Sequence, residues 1–119
     1  NKEGAKMITK CDNPEESANE LINRGIPIVI ITLGPNGALI TTRKYQKKIP
    51  AAKIEQIIDT TGAGDTFNGA FSVAYWIRNW DLEKSVKYAN LAAALKIQRL
   101  GARTGMPYAG EIEKFQSGY

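Results

Sequence analysis

Residues 28 to 33 read Ile-Val-Ile-Ile-Thr-Leu, a run that is almost wholly apolar and rich in β-branched side chains. A strand buried on both faces, as in the middle of a parallel sheet, has this composition, and it restricts what can surround the run. A helix precedes it. Asn13 is placed to cap, Pro14 fits the first helical position and Glu16 can close a capping box. Ala18, Leu21 and Ile22 give this helix an apolar stripe to about Arg24, and Gly25 is placed to end it. Helix followed by buried strand is the α/β pattern.

The strand runs into Thr32-Leu33-Gly34-Pro35-Asn36-Gly37, and Ala38 to Thr42 reads as the next strand. Pro-Asn-Gly is a strong turn by itself, so spacing alone favours a plain hairpin here. The turn also lies beyond the C-terminal end of a strand, which is where open α/β sheets bind ligands. Tyr45 to Ile49 and Ala52 to Ile58 read as further short strands separated by Pro50.

The second of these delivers the chain to Asp59-Thr60-Thr61-Gly62-Ala63-Gly64-Asp65, where two aspartates six positions apart bracket a glycine-rich turn. Asp-Thr-Thr-Gly is also ordinary capping and turn chemistry. The full pattern says more. Gly62 and Gly64 let the backbone turn tightly and approach a ligand, and Gly62, Ala63 and Gly64 present successive N–H groups at a helix start as an anion hole. Asp65, in the first turn, is placed to take a proton from a hydroxyl while those groups stabilise a transferring phosphoryl.

Two long helices follow. The first runs from Gly64 to about Asn79 with Phe67, Ala70, Phe71, Ala74 and Ile77 as its core stripe. The second opens at Asp81 and carries Leu82, Val86, Ala89, Ala93 and Ile97. Trp76 and Trp80, near the joint, are expected to pack. Ala92-Ala93-Ala94 permits close helix contact, and Gly101 reads as the end of the second helix.

Composition narrows the function. The 119 residues hold 43% hydrophobic and 24% charged side chains, as a soluble globular chain of one domain over 1–119 would. The absence of histidine excludes a histidine triad and imidazole metal sites, and the single Cys11 excludes an internal disulfide. No run has the length of a membrane helix, so cytoplasm is the expected compartment. The net charge of +4 is densest at Arg43, Lys44, Lys47 and Lys48. Without a recognition motif or interleaved aromatics, this cluster reads as solvation of a hairpin or edge strand and not as a nucleic-acid surface.

Asp59 to Asp65, continued by Thr66-Phe67-Asn68-Gly69-Ala70-Phe71, resembles the Asp-Thr-x-Gly-Ala-Gly-Asp signature of the ribokinase-like, phosphofructokinase-B-type carbohydrate kinases. The resemblance covers the whole chain. It implies the C-terminal portion of a three-layer α/β/α fold, with ATP and Mg²⁺ as cofactors and a sugar or nucleoside as acceptor. It makes Asp65 the catalytic base. It places Thr32, Gly34 and Gly37 along the ATP and sets Asn90 beside the adenine, although an exposed helical Asn is the simple alternative for that residue. In potassium-activated members the equivalents of Asp59, Thr61, Lys96, Arg99 and Gly101 hold a monovalent cation, mostly through main-chain carbonyls.

Two positions depart from the family pattern. Gly105 stands where ribokinase supplies a serine hydroxyl to the cation. An Asn-x-x-Glu motif that helps place Mg-ATP becomes Asn1-Lys2-Glu3-Gly4, keeping Asn1 but not the acid. Members of the family are also more than twice as long, so the acceptor-binding half and lid are expected outside this chain. The expected function is ATP-dependent phosphorylation of a sugar hydroxyl by the whole protein, with the isolated segment inactive. The alternatives are a nucleoside kinase, a non-catalytic nucleotide- or phosphate-binding fragment, and half of a split protein or oligomer that needs a partner.

Overall fold

In the computed structural model, which describes residues 1–54, 56–98, 107 and 109–117 without the side chains of 115–117, the chain forms two units, Asn1–Pro50 and Ala51–Tyr119. In the first, helix α1 (Lys2–Thr9) starts where the Asn1 side-chain oxygen accepts the Gly4 N–H at 2.7 Å. Helix α2 (Pro14–Asn23) starts in the same way, with Asn13 Oδ1 accepting the Glu16 N–H at 2.8 Å. Each cap satisfies one of the donors that a helix start leaves without an intrahelical acceptor. The buried Thr9 hydroxyl donates to Ala5 O at 2.8 Å and lies 2.9 Å from the buried Ser17 hydroxyl, joining the two helices. Gly25 ends α2, as its sequence position implies, with its N–H on Ile22 O and the Ile26 N–H on Leu21 O.

Strands β1 (Ile28–Thr32), β2 (Ala38–Thr42) and β3 (Gln46–Ile49) form a sheet in that order, and both pairings are antiparallel. Among the described residues, the neighbour of residues 28–33 is thus antiparallel, not the parallel one that their composition suggests. The connection from β1 to β2 is residues 33–37, far too short for the crossover of a dozen or more residues that parallel neighbours require. The strand buried on both faces is β2, whose Ala38, Leu39, Ile40 and Thr41 are all buried; β1 alternates buried with half-buried residues. One face of the sheet, with Val29, Ile31 and Leu39, packs with Ala5, Ala18 and Ile22 of the two helices. Lys47 and Lys48 are exposed on β3, an edge strand among the described residues, as the solvation reading expected.

In the second unit the expected strand over Ala52 to Ile58 is absent from the described residues. The N–H groups of Ile58 and Asp59 do not join a ladder but both donate to Ile97 O, at 2.7 and 3.0 Å. Ile97 ends helix α4 (Leu82–Ile97), which opens on Asp81, whose side chain accepts the Lys84 N–H at 2.8 Å. Helix α3 (Ala63–Ser72) continues into a π-helical turn, Val73–Ile77, closed by the Arg78 N–H on Val73 O at 2.9 Å. A π turn inserts one residue per turn and shifts the stripe. Ala74 therefore stays buried while Trp76 and Ile77 are 71% and 73% exposed, so neither belongs to the core expected for them.

Trp80 does pack, edge-on to Tyr88 at 5.3 Å between centroids, with Lys84 Nζ 4.0 Å above its ring. Arg78 lies 5.2 Å from the Trp80 ring and donates at 2.7 Å to Glu113 on helix α5 (Ala109–Ser117). Ile112 of α5 is buried with Ala74, Tyr88, Leu91 and Ala92. Neither α1 nor α5 is evident as a periodic pattern. The apolar residues of α1 fall on several faces, with Met7 and Ile8 exposed, and α5 has the lone Ile112 as its buried apolar anchor among described side chains. No helix of the described residues is long and apolar enough to cross a membrane.

Two measurements check this packing. Ile40 is fully buried, so Ile40→Ala should lower unfolding free energy in urea by about 2–5 kcal/mol. Burial pushes the Tyr88 phenol above its ordinary value, outweighing the nearby Arg78 guanidinium, which pulls it down. A raised folded-state value means that Tyr88 stabilises fully below its unfolded value, and that this is lost as pH rises through the folded one. Melting followed upward from about pH 8 should fall less steeply on the alkaline side in Tyr88→Phe than in the parent; parallel curves would contradict the assignment.

Candidate functional site

The glycine turn of the second unit is built from the end of α4. Ile97 O holds the backbone at Ile58 and Asp59. The Asp59 carboxylate then accepts the Thr61 N–H on Oδ1 at 2.9 Å, a local turn that aspartate makes readily. Thr60 O accepts the Ala63 N–H at 3.2 Å, and Gly62, at φ 80°, occupies a left-handed conformation that a side chain would strain. Gly62 O accepts the Thr66 N–H at 2.9 Å, and α3 has begun.

Asp65 is exposed in the first turn of α3. Gly64 precedes it, and a Cβ built on Gly64 would meet nothing within 4 Å among the described residues. Packing among the described residues therefore does not account for a glycine there. The N–H groups of Gly64 and Asp65 belong to the first turn, whose donors lack intrahelical acceptors, so they face the need that an anion satisfies. Of the three N–H groups expected in the anion hole, that of Ala63 is engaged by Thr60. Thr66 Oγ1 is buried and makes no hydrogen bond among the described residues.

Asn90 is buried on α4, not the exposed helical residue of the simple alternative, because α4 buries residues around most of its circumference from Ser85 to Lys96. Lys96 is fully buried as well, and its Nζ lies 3.5 Å from the main-chain oxygen of Asp59. The family resemblance points to the Lys96 carbonyl alone; the side chain enters only with the structure. Its signal was a lysine set inside the apolar stretch Leu91 to Ile97. Arg99, Gly101 and Gly105, the remaining residues expected at a cation, lie outside the described residues.

In the first unit, Thr32 closes β1 opposite Ala38, and Gly34 and Gly37 shape the turn between them. Leu33 N–H donates to Gly37 O at 2.8 Å, and the Gly37 N–H to Gly34 O at 3.1 Å. Gly37 is at φ 89° and ψ −129°, conformational space that is essentially glycine's alone. Gly34 is exposed, and a Cβ on it would meet nothing within 4 Å among the described residues. Asn1 is committed to capping α1. Gly4 is the third helical residue, where a capping-box acid would stand, and a Cβ there would lie 3.1 Å from Asn1 Oδ1.

Residues 1–109 match the pfkB family carbohydrate kinases. A ribokinase of Lactococcus lactis is 38% identical over 84% of this chain and 33% of its own length. Among solved structures, a fructokinase of Vibrio cholerae with fructose, ADP and calcium bound superposes at a TM-score of 0.84 and 32% identity, over 96% of this chain and 38% of that one. The Arabidopsis thaliana ribokinase complexed with ribose and ATP superposes at 0.88 and 25% identity, over 95% of this chain and 38% of that one. The chain thus has the ribokinase-like α/β fold and spans about a third of the length of the proteins it matches. With the family matched over nearly all its residues and the signature turn in place, the chain belongs to the pfkB family of carbohydrate kinases.

Proposed function

We propose that this chain is the nucleotide-binding and catalytic-base portion of a sugar kinase that moves the γ-phosphoryl group of ATP to a hydroxyl of a ribose-like sugar. The observation that carries the reading is Asp65, an exposed carboxylate in the first turn of α3 beside the open space at Gly64. The relatives' names support it, since they pair a sugar with an adenine nucleotide. Asp65 takes the proton of the acceptor hydroxyl as that oxygen attacks the γ-phosphorus. The bond from this phosphorus to the bridging oxygen breaks, and ADP leaves. The N–H groups of Gly62 and Gly64, with the positive end of α3, stabilise charge on the moving phosphoryl group, while Ala63 orders the turn through Thr60.

Thr32, Gly34 and Gly37, and separately Asn90, are assigned to nucleotide contact, and Asn1 to its placement through the start of α1. Asp59 and Thr61 order the catalytic loop. Mg²⁺, when bound, neutralises phosphate charge. The described residues contain no cluster of three acidic or cysteine ligands, so the ion fits this chain as a companion of the nucleotide, held by phosphate oxygens and water. Acceptor-binding groups are assigned to chain outside these residues, in keeping with the third of the relatives' length that is spanned. Exposed Ile57, Ile58, Trp76 and Ile77 are then surface for that chain or a second copy to cover.

Asp65→Asn in the protein carrying its acceptor-binding portion should lower turnover by about 10²–10⁴-fold and leave ATP affinity by calorimetry in place; unchanged turnover would remove Asp65 from the chemistry. The chain alone should bind ATP yet phosphorylate no ribose. If it binds neither ATP nor ADP, the nucleotide reading itself fails. Gly64→Ala adds a methyl group to open space, so melting should hold or rise, by about 0.5–1 kcal/mol for glycine to alanine in a helix, while ATP binding weakens.

A further inference from the structure

Lys96 is the buried ionisable group that phosphoryl transfer leaves unused. Its side chain is fully buried in the last turn of α4, with Nζ 3.5 Å from Asp59 O. An ammonium taken out of water is costly unless oxygen atoms receive it. The end of a helix offers them, because its last carbonyls lack intrahelical partners and carry the negative end of the dipole. The same helix end holds Ile58 and Asp59 through Ile97 O. A cation at this place therefore joins α4 to the loop that leads, through Gly62, to Asp65.

We propose that the Lys96 ammonium is a built-in cation for this loop. It is a positioning residue that holds the Asp59 carbonyl toward the end of α4 and supplies the positive charge there, so that the turn needs no potassium ion. Both K⁺ and an ammonium carry one positive charge and are satisfied by neutral carbonyl oxygens, so the two compete for the same acceptor. The lysine is tethered and present at any salt concentration, and it loses no translational freedom on binding. A dissociable ion drawn to Asp59 O would have to displace it. The main-chain set of the potassium-activated relatives therefore does not fit this chain as an open site, since a cationic side chain already meets one of its carbonyls. The effect on turnover rests on the kinase reading; the exclusion of the ion does not.

The test begins with the unaltered chain, melted in KCl and in tetramethylammonium chloride at equal ionic strength, with thallium(I) NMR as a direct probe of a monovalent-cation site. Equal melting temperatures and an unshifted thallium resonance are expected. Stabilisation by KCl together with a shifted resonance would overturn the proposal, and this arm decides even if a variant fails to fold. Lys96→Met should melt lower, recover stability in KCl but not in tetramethylammonium chloride, and bind thallium(I). Lys96→Arg should stay indifferent to the salt. A loss in Lys96→Met that both salts restore equally, or neither restores, would reduce Lys96 to a packing residue and overturn the proposal. In the protein with its acceptor-binding portion, kcat should be independent of potassium with Lys96 and dependent on it in Lys96→Met. If that protein has no kinase activity, the kinase reading fails while the melting and thallium arms still decide on Lys96.

Discussion

The main-chain oxygen of Ile97 accepts hydrogen bonds from both Ile58 and Asp59, and the geometry of the glycine turn follows from that anchorage. A loop entering a helix would otherwise be free to choose its approach. Here the end of α4 determines where Asp59 sits, the Asp59 carboxylate folds back on Thr61, and Gly62 reverses the chain into α3. Asp65 inherits its position from a helix that ends thirty-two residues later in the chain. A carbonyl in the last turn is suited to this task because it has no helical partner of its own.

Around that anchor, the second unit is held by α3 and α4 packed face to face, with small residues at the contact. Ala74, Ala89 and Ala92 are essentially fully buried, which lets two backbones approach closely. The π turn after α3 changes which residues share that contact, keeping Ala74 in and sending Trp76 out. Arg78 then bridges the joint, lying near the Trp80 and Tyr88 rings while its guanidinium meets Glu113 of α5. The ion pair itself is partly exposed and of small weight. The aromatic and aliphatic surface beneath it, including Ile112, holds more of the stability.

The local elements with chemical punctuation were legible. Asn13-Pro14 opens α2 and Asp81 opens α4 because side-chain oxygens there satisfy helix donors within one turn, an interaction written in four adjacent residues. The aspartates and glycines of residues 59–65 were legible for the same reason. Strand direction was not. Residues 28–33 have the composition of a buried strand, but composition does not say which neighbour pairs with it or in which sense; connection length does, and Pro-Asn-Gly already implied the hairpin. The strand expected over residues 52–58 failed because apolar, β-branched residues favour extension without supplying a ladder partner.

What the sequence by itself determined is the chemistry available: a carboxylate behind a glycine turn at a helix start, and the signature that places the chain in its kinase family. Those features depend on neighbours in the chain, so they survive without knowledge of the fold. What only the tertiary structure decided is the company each residue keeps. Asn90 is buried instead of exposed, Trp76 is exposed instead of packed, and the Lys96 ammonium reaches the carbonyl of Asp59 across thirty-seven positions of sequence. Burial and long-range hydrogen bonding arise from how helices pack, and no local pattern of residues encodes them.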